Sequence, residues 1–404
     1  MKVIIFANVF WPEQFLINNL AKHLGANGHT VTAYTGLPHY PVGHFFAGYS
    51  LLKGPYVQTT EFGTVIRYPM IPRFKHFIFL AFNYLSNLVS ALLNLWRLPK
   101  ADVYFVFAVS PIFKVIPAIV LKFFTKRPVV VWYQDLWPDS FFAVTKISQR
   151  GVMAMVLKSI TLWVYKRVDG MLIQSEAFRS ELLKAGYDKP IYYVPNWANI
   201  SKTTETDPEW LKLIPTAKKT LTFAGNIGQA QGLDVVLQAM SQLQDRGLQL
   251  VIVGDGSAKA ELEKMAQRLG LSNVLFLGRR PSEDMSALFA KSDFLLVSLK
   301  KDYLFSLVIP SKVQAYMQAG KPLVAFLDGE GSRVVTEAQC GLSARAEDPS
   351  SLVSALSQLL SFDAAKLAAM GAAGRIYFEK NFTEAKVVSQ IEDILQDFSQ
   401  RKIK

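Results

Sequence analysis

The chain has 404 residues and a formal net charge of +12, with half its residues hydrophobic and 12% aromatic, which suits two packed domains and excludes a disordered chain. A single cysteine, Cys340, excludes a disulfide framework and a cysteine-based metal site, and fits a reducing compartment. The charge is uneven: residues 1–200 hold 20 Lys and Arg against 9 Asp and Glu, whereas the remainder holds 24 against 23.

Met1-Lys2 leads straight into an apolar run, which is not the pattern of a signal peptide. Val3 to Asn8 reads as a buried strand, Phe15 to Leu24 as a helix closed by Gly25 and Gly28, and His29 to Thr35 as a second strand. A turn-rich loop holding His39 and His44 follows, and Val65 to Tyr68 is strand-like. Phe77 to Trp96 then gives about twenty residues without a charge, enough for a bilayer span. Asn83, Ser86, Asn87, Ser90 and Asn94 recur through it at helical spacing, so the expectation is a helix with one polar stripe. Such a helix lies in a membrane interface or covers a sheet; it does not span.

Strands are expected again at Val103 to Phe107, Val129 to Tyr133, Gly170 to Ile173 and Ile191 to Val194. Residues 198–219 lose periodicity and read as a linker between domains at 1–197 and 220–380, with 381–404 a closing helix. In the second domain Leu221 to Ala224, Leu248 to Val253, Val274 to Leu277 and Phe294 to Ser298 are strands, and most end in glycine turns that open into helices. That alternation predicts two doubly wound parallel α/β domains, with helix N-termini at the carboxyl edge where phosphates bind.

The first strand runs into Ala7-Asn8-Val9-Phe10-Trp11-Pro12 and lacks the glycine fingerprint of a dinucleotide enzyme. No Gly-Lys-Ser/Thr loop occurs, and no His, Asp or Glu cluster has metal-ligand spacing, so no metal is expected. Ser311 and Lys312 follow Pro310 at a helix start, where free amides, the helix dipole and a lysine converge on a possible diphosphate. Gly225 and Gly228 would let backbone approach phosphate, and Lys300 follows a strand end toward the same edge. In the first domain, Asp135 follows a strand end and Glu13 lies on the first loop; both are candidates for acceptor contact or for a catalytic base. His39 is a weaker candidate on the turn-rich loop. Around Arg73, Lys75 and Trp96 basic residues interleave with aromatic and aliphatic ones, which reads as an anionic membrane surface and not as a nucleic-acid site. The bland alternative is a core helix with ordinary surface charges.

Across nearly its whole length the chain resembles the two-domain GT-B glycosyltransferases of family 4. The resemblance rests on Phe10-Trp11-Pro12-Glu13-Gln14, Gln134-Asp135-Leu136-Trp137-Pro138, Val194-Pro195-Asn196-Trp197, Ala224-Gly225-Asn226-Ile227-Gly228, Ile309-Pro310-Ser311-Lys312 and Asp328-Gly329-Glu330-Gly331. It is closest to a bacterial branch that adds fucosamine-like and other sugars during O-antigen and capsule assembly. The resemblance implies two domains facing a cleft, with the last helix returning to the first. It implies retaining transfer from a nucleotide-diphosphate sugar, expected to be UDP-linked, to a polyprenyl-diphosphate-linked saccharide, without a metal, on the cytoplasmic face of the inner membrane. It further implies a contact to the nucleotide base at Arg279 or Arg280; Asn226, Glu330 for the sugar and Glu337 for the ribose are further donor candidates. The family's usual basic pair falls at Asn226 and Gln231 here, and its two glutamates at Leu307 and Ala315. Those substitutions keep two alternatives open: a non-catalytic nucleotide-sugar-binding scaffold, or a GT-B epimerase.

Overall fold

The computed structural model describes residues 1–73, 77–145, 148–149, 151–198 and 208–401. Two compact units divide the chain, Met1–Pro195 with Val387–Lys404, and Asn196–Lys386. Residues 199–207 of the sequence-predicted linker, and Lys75, lie outside the described residues.

The first unit holds β1 (Lys2–Ala7), β2 (Thr30–Gly36), β3 (Val57–Thr60), β4 (Gly63–Tyr68), β5 (Val103–Ala108), β6 (Val129–Tyr133), β7 (Gly170–Ile173) and β8 (Ile191–Tyr193). They form one sheet in the order β3-β4-β2-β1-β5-β6-β7-β8. All pairs are parallel except β3 with β4. The runs VYFVFA of β5 and VVVWY of β6 are buried throughout, as a parallel sheet covered on both faces demands. The unpredicted strand is β3, a four-residue edge whose side chains are exposed or half-buried and which therefore leaves little apolar signal.

Its helices are α1 (Leu16–Ala26), α2 (Phe77–Leu93), α3 (Val115–Thr125), α4 (Asp139–Thr145), α5 (Val152–Tyr165) and α6 (Ala177–Lys184). The chain steps one way across the sheet from β1 to β2, and the other way from β4 through β5 and β6 to β7. Right-handed crossovers therefore put α1 on one face and α2, α3 and α5 on the other. The latter three pack side by side.

The second unit holds a six-stranded, all-parallel sheet in the order β11-β10-β9-β12-β13-β14. The strands are β9 (Lys219–Ala224), β10 (Leu248–Val253), β11 (Val274–Gly278), β12 (Phe294–Ser298), β13 (Leu323–Phe326) and β14 (Gly341–Ala344). Around them lie α7 (Leu233–Ser241), α8 (Lys259–Arg268), α9 (Met285–Lys291), α10 (Tyr303–Ser306), α11 (Ser311–Ala319), α12 (Glu330–Glu337), α13 (Pro349–Ser361) and α14 (Ala364–Asn381). The strand order changes direction between β9 and β12, the switch point at which α/β sheets bind ligands beyond their carboxyl ends.

The closing helix α15 (Glu384–Gln400) returns to the first unit, as expected. Its Glu392 carboxylate accepts from Asn27 Nδ2 and meets His29 Nε2, both at 2.7 Å, while Phe398 fills the space a side chain at Gly170 would need. Among the described residues no single helix is long and apolar enough to cross a membrane.

Candidate functional site

In the second unit the predicted donor residues gather at the carboxyl edge. β9 ends in Gly225 at φ +139°, and β10 in Gly254 at +142°. A Cβ on Gly225 would come within 2.7 Å of Lys312 Cε, so the lysine stem runs directly beneath this glycine. Lys312 stands in the first turn of α11, where the Ser311 and Lys312 amides have no earlier helical turn to bond to. Its ammonium donates to Gln231 Oε1 and lies 3.9 Å from the centre of the Phe223 ring. Burial pulls its pKa down to about 7. Lys300 joins the same loop from β12: its N–H donates to Ala230 O at 2.9 Å and its side chain packs over Gly232.

Gly225, Asn226, Asp255, Arg279 and Arg280 border an open depression of about 880 Å³. Asn226 is exposed there, with its amide group beside Gly228. Arg280 stacks over Trp210, 5.0 Å from guanidinium carbon to ring centre, and its buried Nε has no partner among the described residues. Gly329 brings β13 into α12, at whose first turn Glu330 is buried against Arg333 at 2.8 Å.

Glu337 departs from the set. It stands at the far end of α12, about 10 Å along the axis from Glu330. There it pairs with Arg333 and accepts from Tyr377 Oη at 3.0 Å, away from the carboxyl-edge turns. Helical position separates the two glutamates.

The first unit has a second site, a cavity of about 300 Å³ bordered by Asn8, His39, Arg73, Asn83, Tyr84, Lys114 and Asp135. Asp135 does not cap a helix; its Oδ2 accepts from the Ser110 N–H at 2.8 Å, and burial raises its pKa. His39 is buried, with Nδ1 3.0 Å from Leu37 O. That contact makes Nδ1 the donor and leaves Nε2 as the acceptor of a neutral ring, because burial lowers the imidazole pKa.

Glu13 is held by the backbone of two loops. Its carboxylate is buried and accepts from three backbone amides: Phe10 at 3.1 Å, His39 at 2.9 Å and Tyr40 at 2.7 Å. With those bonds it ties the first loop to the His39 loop. Trp96 lies outside the cavity on the surface, 82% exposed, whereas Arg73 borders the cavity.

Sequence reasoning passed over Lys114. It is 3% exposed, donates to Tyr68 Oη, and lies 4.6 Å from the Tyr68 ring centre. Burial lowers its pKa strongly, and it forms no ion pair among the described residues. The available signal was a lone lysine in the apolar run Pro111-Ile112-Phe113-Lys114-Val115-Ile116-Pro117.

Residues 15–202 match the model for Glycosyltransferase Family 4, and residues 218–361 the model for Glycosyl transferases group 1. The chain belongs to the family 4 glycosyltransferases. This glycosyltransferase is 26% identical over 335 residues to the putative colanic acid biosynthesis glycosyl transferase WcaI of Escherichia coli, covering 79% of the chain and 82% of that relative. To the probable glycosyltransferase WbjE of Pseudomonas aeruginosa it is 23% identical, covering 63% of the chain and 64% of the relative. Its fold matches the crystal structure of Anabaena HepE in complex with UDP at a TM-score of 0.70 and 17% identity, covering 98% of this chain and all of that one. The two parallel-sheet domains are thus those of GT-B glycosyltransferases.

Proposed function

We propose that this enzyme transfers a sugar, with retention, from a UDP-linked donor held by the second unit to a lipid-linked saccharide held by the first. It would work at the cytoplasmic face of the membrane during assembly of a bacterial surface polysaccharide. The observation that carries the reading is the inverted polarity of α2. Its polar stripe turns inward: Asn83 Nδ2 donates to Ile71 O at 2.7 Å, Ser86 Oγ accepts from Ile71 N–H at 3.1 Å, and Asn87 Oδ1 accepts from Tyr68 Oη at 2.9 Å. Its apolar side chains Phe82, Leu85, Val89 and Leu93 are left exposed. A helix of a water-facing domain has the opposite arrangement. The neighbouring α3 and α5 extend this surface with Phe123, Phe124, Val152 and Met155, all more than 60% exposed. Between residues 70 and 168 stand thirteen Lys and Arg but only three Asp and no Glu, a balance suited to anionic lipid.

On the donor side, charge builds on the diphosphate as the glycosidic bond breaks. Lys312, the first-turn amides of α11 and the arginines of the depression supply positive charge there, so no metal is required in this reading. The departing diphosphate can itself take the acceptor proton; Asp135 and neutral His39 are the acceptor-side groups able to orient that hydroxyl. The names of WcaI and of HepE with UDP support the polysaccharide role and the nucleotide.

The test has two arms. Thermal-shift titration with UDP-, GDP-, dTDP- and CDP-sugars should show stabilisation by the UDP class that is lost in Lys312→Met. Mass spectrometry should then show addition of one sugar to a lipid-linked acceptor. UDP binding without transfer to any such acceptor would overturn the transferase reading in favour of a non-catalytic subunit.

A further inference from the structure

Beside the polar cavity of the first unit lies a groove of about 200 Å³ with no polar surface. Leu80 and Leu85 of α2, Phe113, Phe141, and Met153 and Leu157 of α5 border it. Tyr84, Leu88 and Phe113 line both spaces, so a single wall separates a wholly apolar groove from a cavity whose floor includes Lys114. Groove and cavity together have the two ends of an amphiphile. The apolar end opens on the exposed face of α2 and α5, where Leu85 is 59% and Met153 46% exposed. The polar end presents the buried Lys114 amino group with no carboxylate in ion-pair reach among the described residues, and the Asn8 Nδ2 with no partner among them. Without a counter-charge, burial disfavours the protonated form of this amine, and an anion entering the cavity stabilises that form and gains an ion pair with it.

We propose that the groove and cavity form one seat for a lipid diphosphate, with the hydrocarbon chain between α2 and α5 and the diphosphate at Lys114. The inference rests on the lipid-linked acceptor reading and gives it a location. A soluble anion would use the cavity alone and leave the groove without a role. A protein partner would not need a buried lysine behind the apolar surface. The arrangement also accounts for the length of α2: the same helix that turns its polar stripe toward the sheet gives Tyr84 and Leu88 to the shared wall and Leu85 to the groove.

The full-length protein, with excess UDP present to fill the second unit, is titrated with farnesyl diphosphate, inorganic pyrophosphate and farnesol. Farnesyl diphosphate should bind at least tenfold more tightly than either of the others. Met153→Asp and Leu85→Asp, both at exposed positions, should each weaken farnesyl diphosphate at least tenfold and leave pyrophosphate within twofold. Lys114→Met should weaken both diphosphates and leave farnesol unchanged. Equal affinity for farnesyl diphosphate and pyrophosphate, or unaltered farnesyl diphosphate binding in the two Asp variants, overturns the proposal. Should Lys114→Met fail to fold, the Asp variants decide. If those variants bind and glycosylate lipid-linked acceptor as the parent does, the groove falls and the function stands. If farnesyl diphosphate binds as described but no lipid-linked saccharide is ever glycosylated, the proposed function falls and the seat stands.

Discussion

Lys312 and Gln231 meet across the second unit's first turn, the lysine ammonium donating to the amide oxygen at a position where the chain has no cation of its own on that loop. The ammonium is held above Phe223 and largely out of water, which is why its pKa drops to about 7 from the usual 10.5. Between those two values the unfolded chain binds the proton and the folded chain does not. Stability contributed by this site therefore rises with pH across that window, and the burden of the buried charge is complete below about pH 7. Lys312→Met should flatten the rise in Tm measured from pH 6 to 10. A bound diphosphate favours the charged form, so UDP affinity in the parent should fall as pH climbs through 7 and 8, and the variant should bind UDP at least tenfold more weakly at pH 6.5.

Glu13 holds two loops by three buried amides, and removing its carboxylate would orphan them. Each buried donor left unpaired costs about 1–3 kcal/mol, so Glu13→Ala should lose at least about 3 kcal/mol in urea unfolding. Glu13→Gln keeps one acceptor oxygen and should lose less. Its kcat should stay within about tenfold of the parent, whereas an essential base would lose a hundredfold or more.

The contrast between Glu13 and Lys312 shows what the sequence made legible. Alternating apolar runs and glycine turns announced most strands of both sheets, though not β3, β13 or β14, and the helix start at Pro310-Ser311-Lys312, because strand and helix period depend on local pattern. What Glu13 touches depends on His39 and Tyr40, 26 and 27 residues away, and no local pattern encodes that. Lys114 illustrates the reverse failure. Its apolar neighbours announce a core segment, and the charge in their midst was read past although burial is what makes it chemically distinctive. The polar stripe of α2 was visible, but which side it faces was not. A stripe of Asn and Ser satisfies itself equally well in water or against the turn that holds Ile71, and only the fold selects the second.

Glu330 and Glu337 should separate in the same experiment. Glu330 stands at the carboxyl edge, while Glu337 is paired at the opposite end of its helix. Glu330→Gln should raise KM for the donor at least fivefold. Glu337→Gln should leave KM within twofold, since it only loosens a partly exposed ion pair.

In the proposed reaction Asp135 is the acceptor-side carboxylate with the strongest claim on chemistry. Asp135→Asn retains an oxygen for the Ser110 amide, so Tm should change by little, and UDP affinity should be unaltered because the proposed donor site lies in the other unit. Loss of the carboxylate that orients the acceptor hydroxyl should lower kcat by about a hundredfold or more. Burial raises the Asp135 pKa, and in the proposed reaction the ionised form is the active one. The acidic limb of kcat against pH should therefore fall off above the ordinary aspartate range in the parent and be absent from the residual activity of Asp135→Asn.

Leu93 and Trp96 are 70% and 82% exposed at the end of α2, so replacing both with serine removes apolar surface without opening a core cavity. If α2 rests on lipid, each side chain contributes up to about 1.5–3 kcal/mol when buried there, and the double variant should lose at least tenfold in binding to phosphatidylglycerol vesicles. Thermal stability in the absence of vesicles should be unchanged. Because a basic surface accompanies the apolar one, raising salt should weaken the parent on phosphatidylglycerol but have little effect on the weaker binding to phosphatidylcholine. Co-sedimentation at two salt concentrations with the two lipids separates the apolar from the electrostatic contribution. Equal sedimentation of parent and variant would mean that the exposed side of α2 is not where this enzyme meets the membrane.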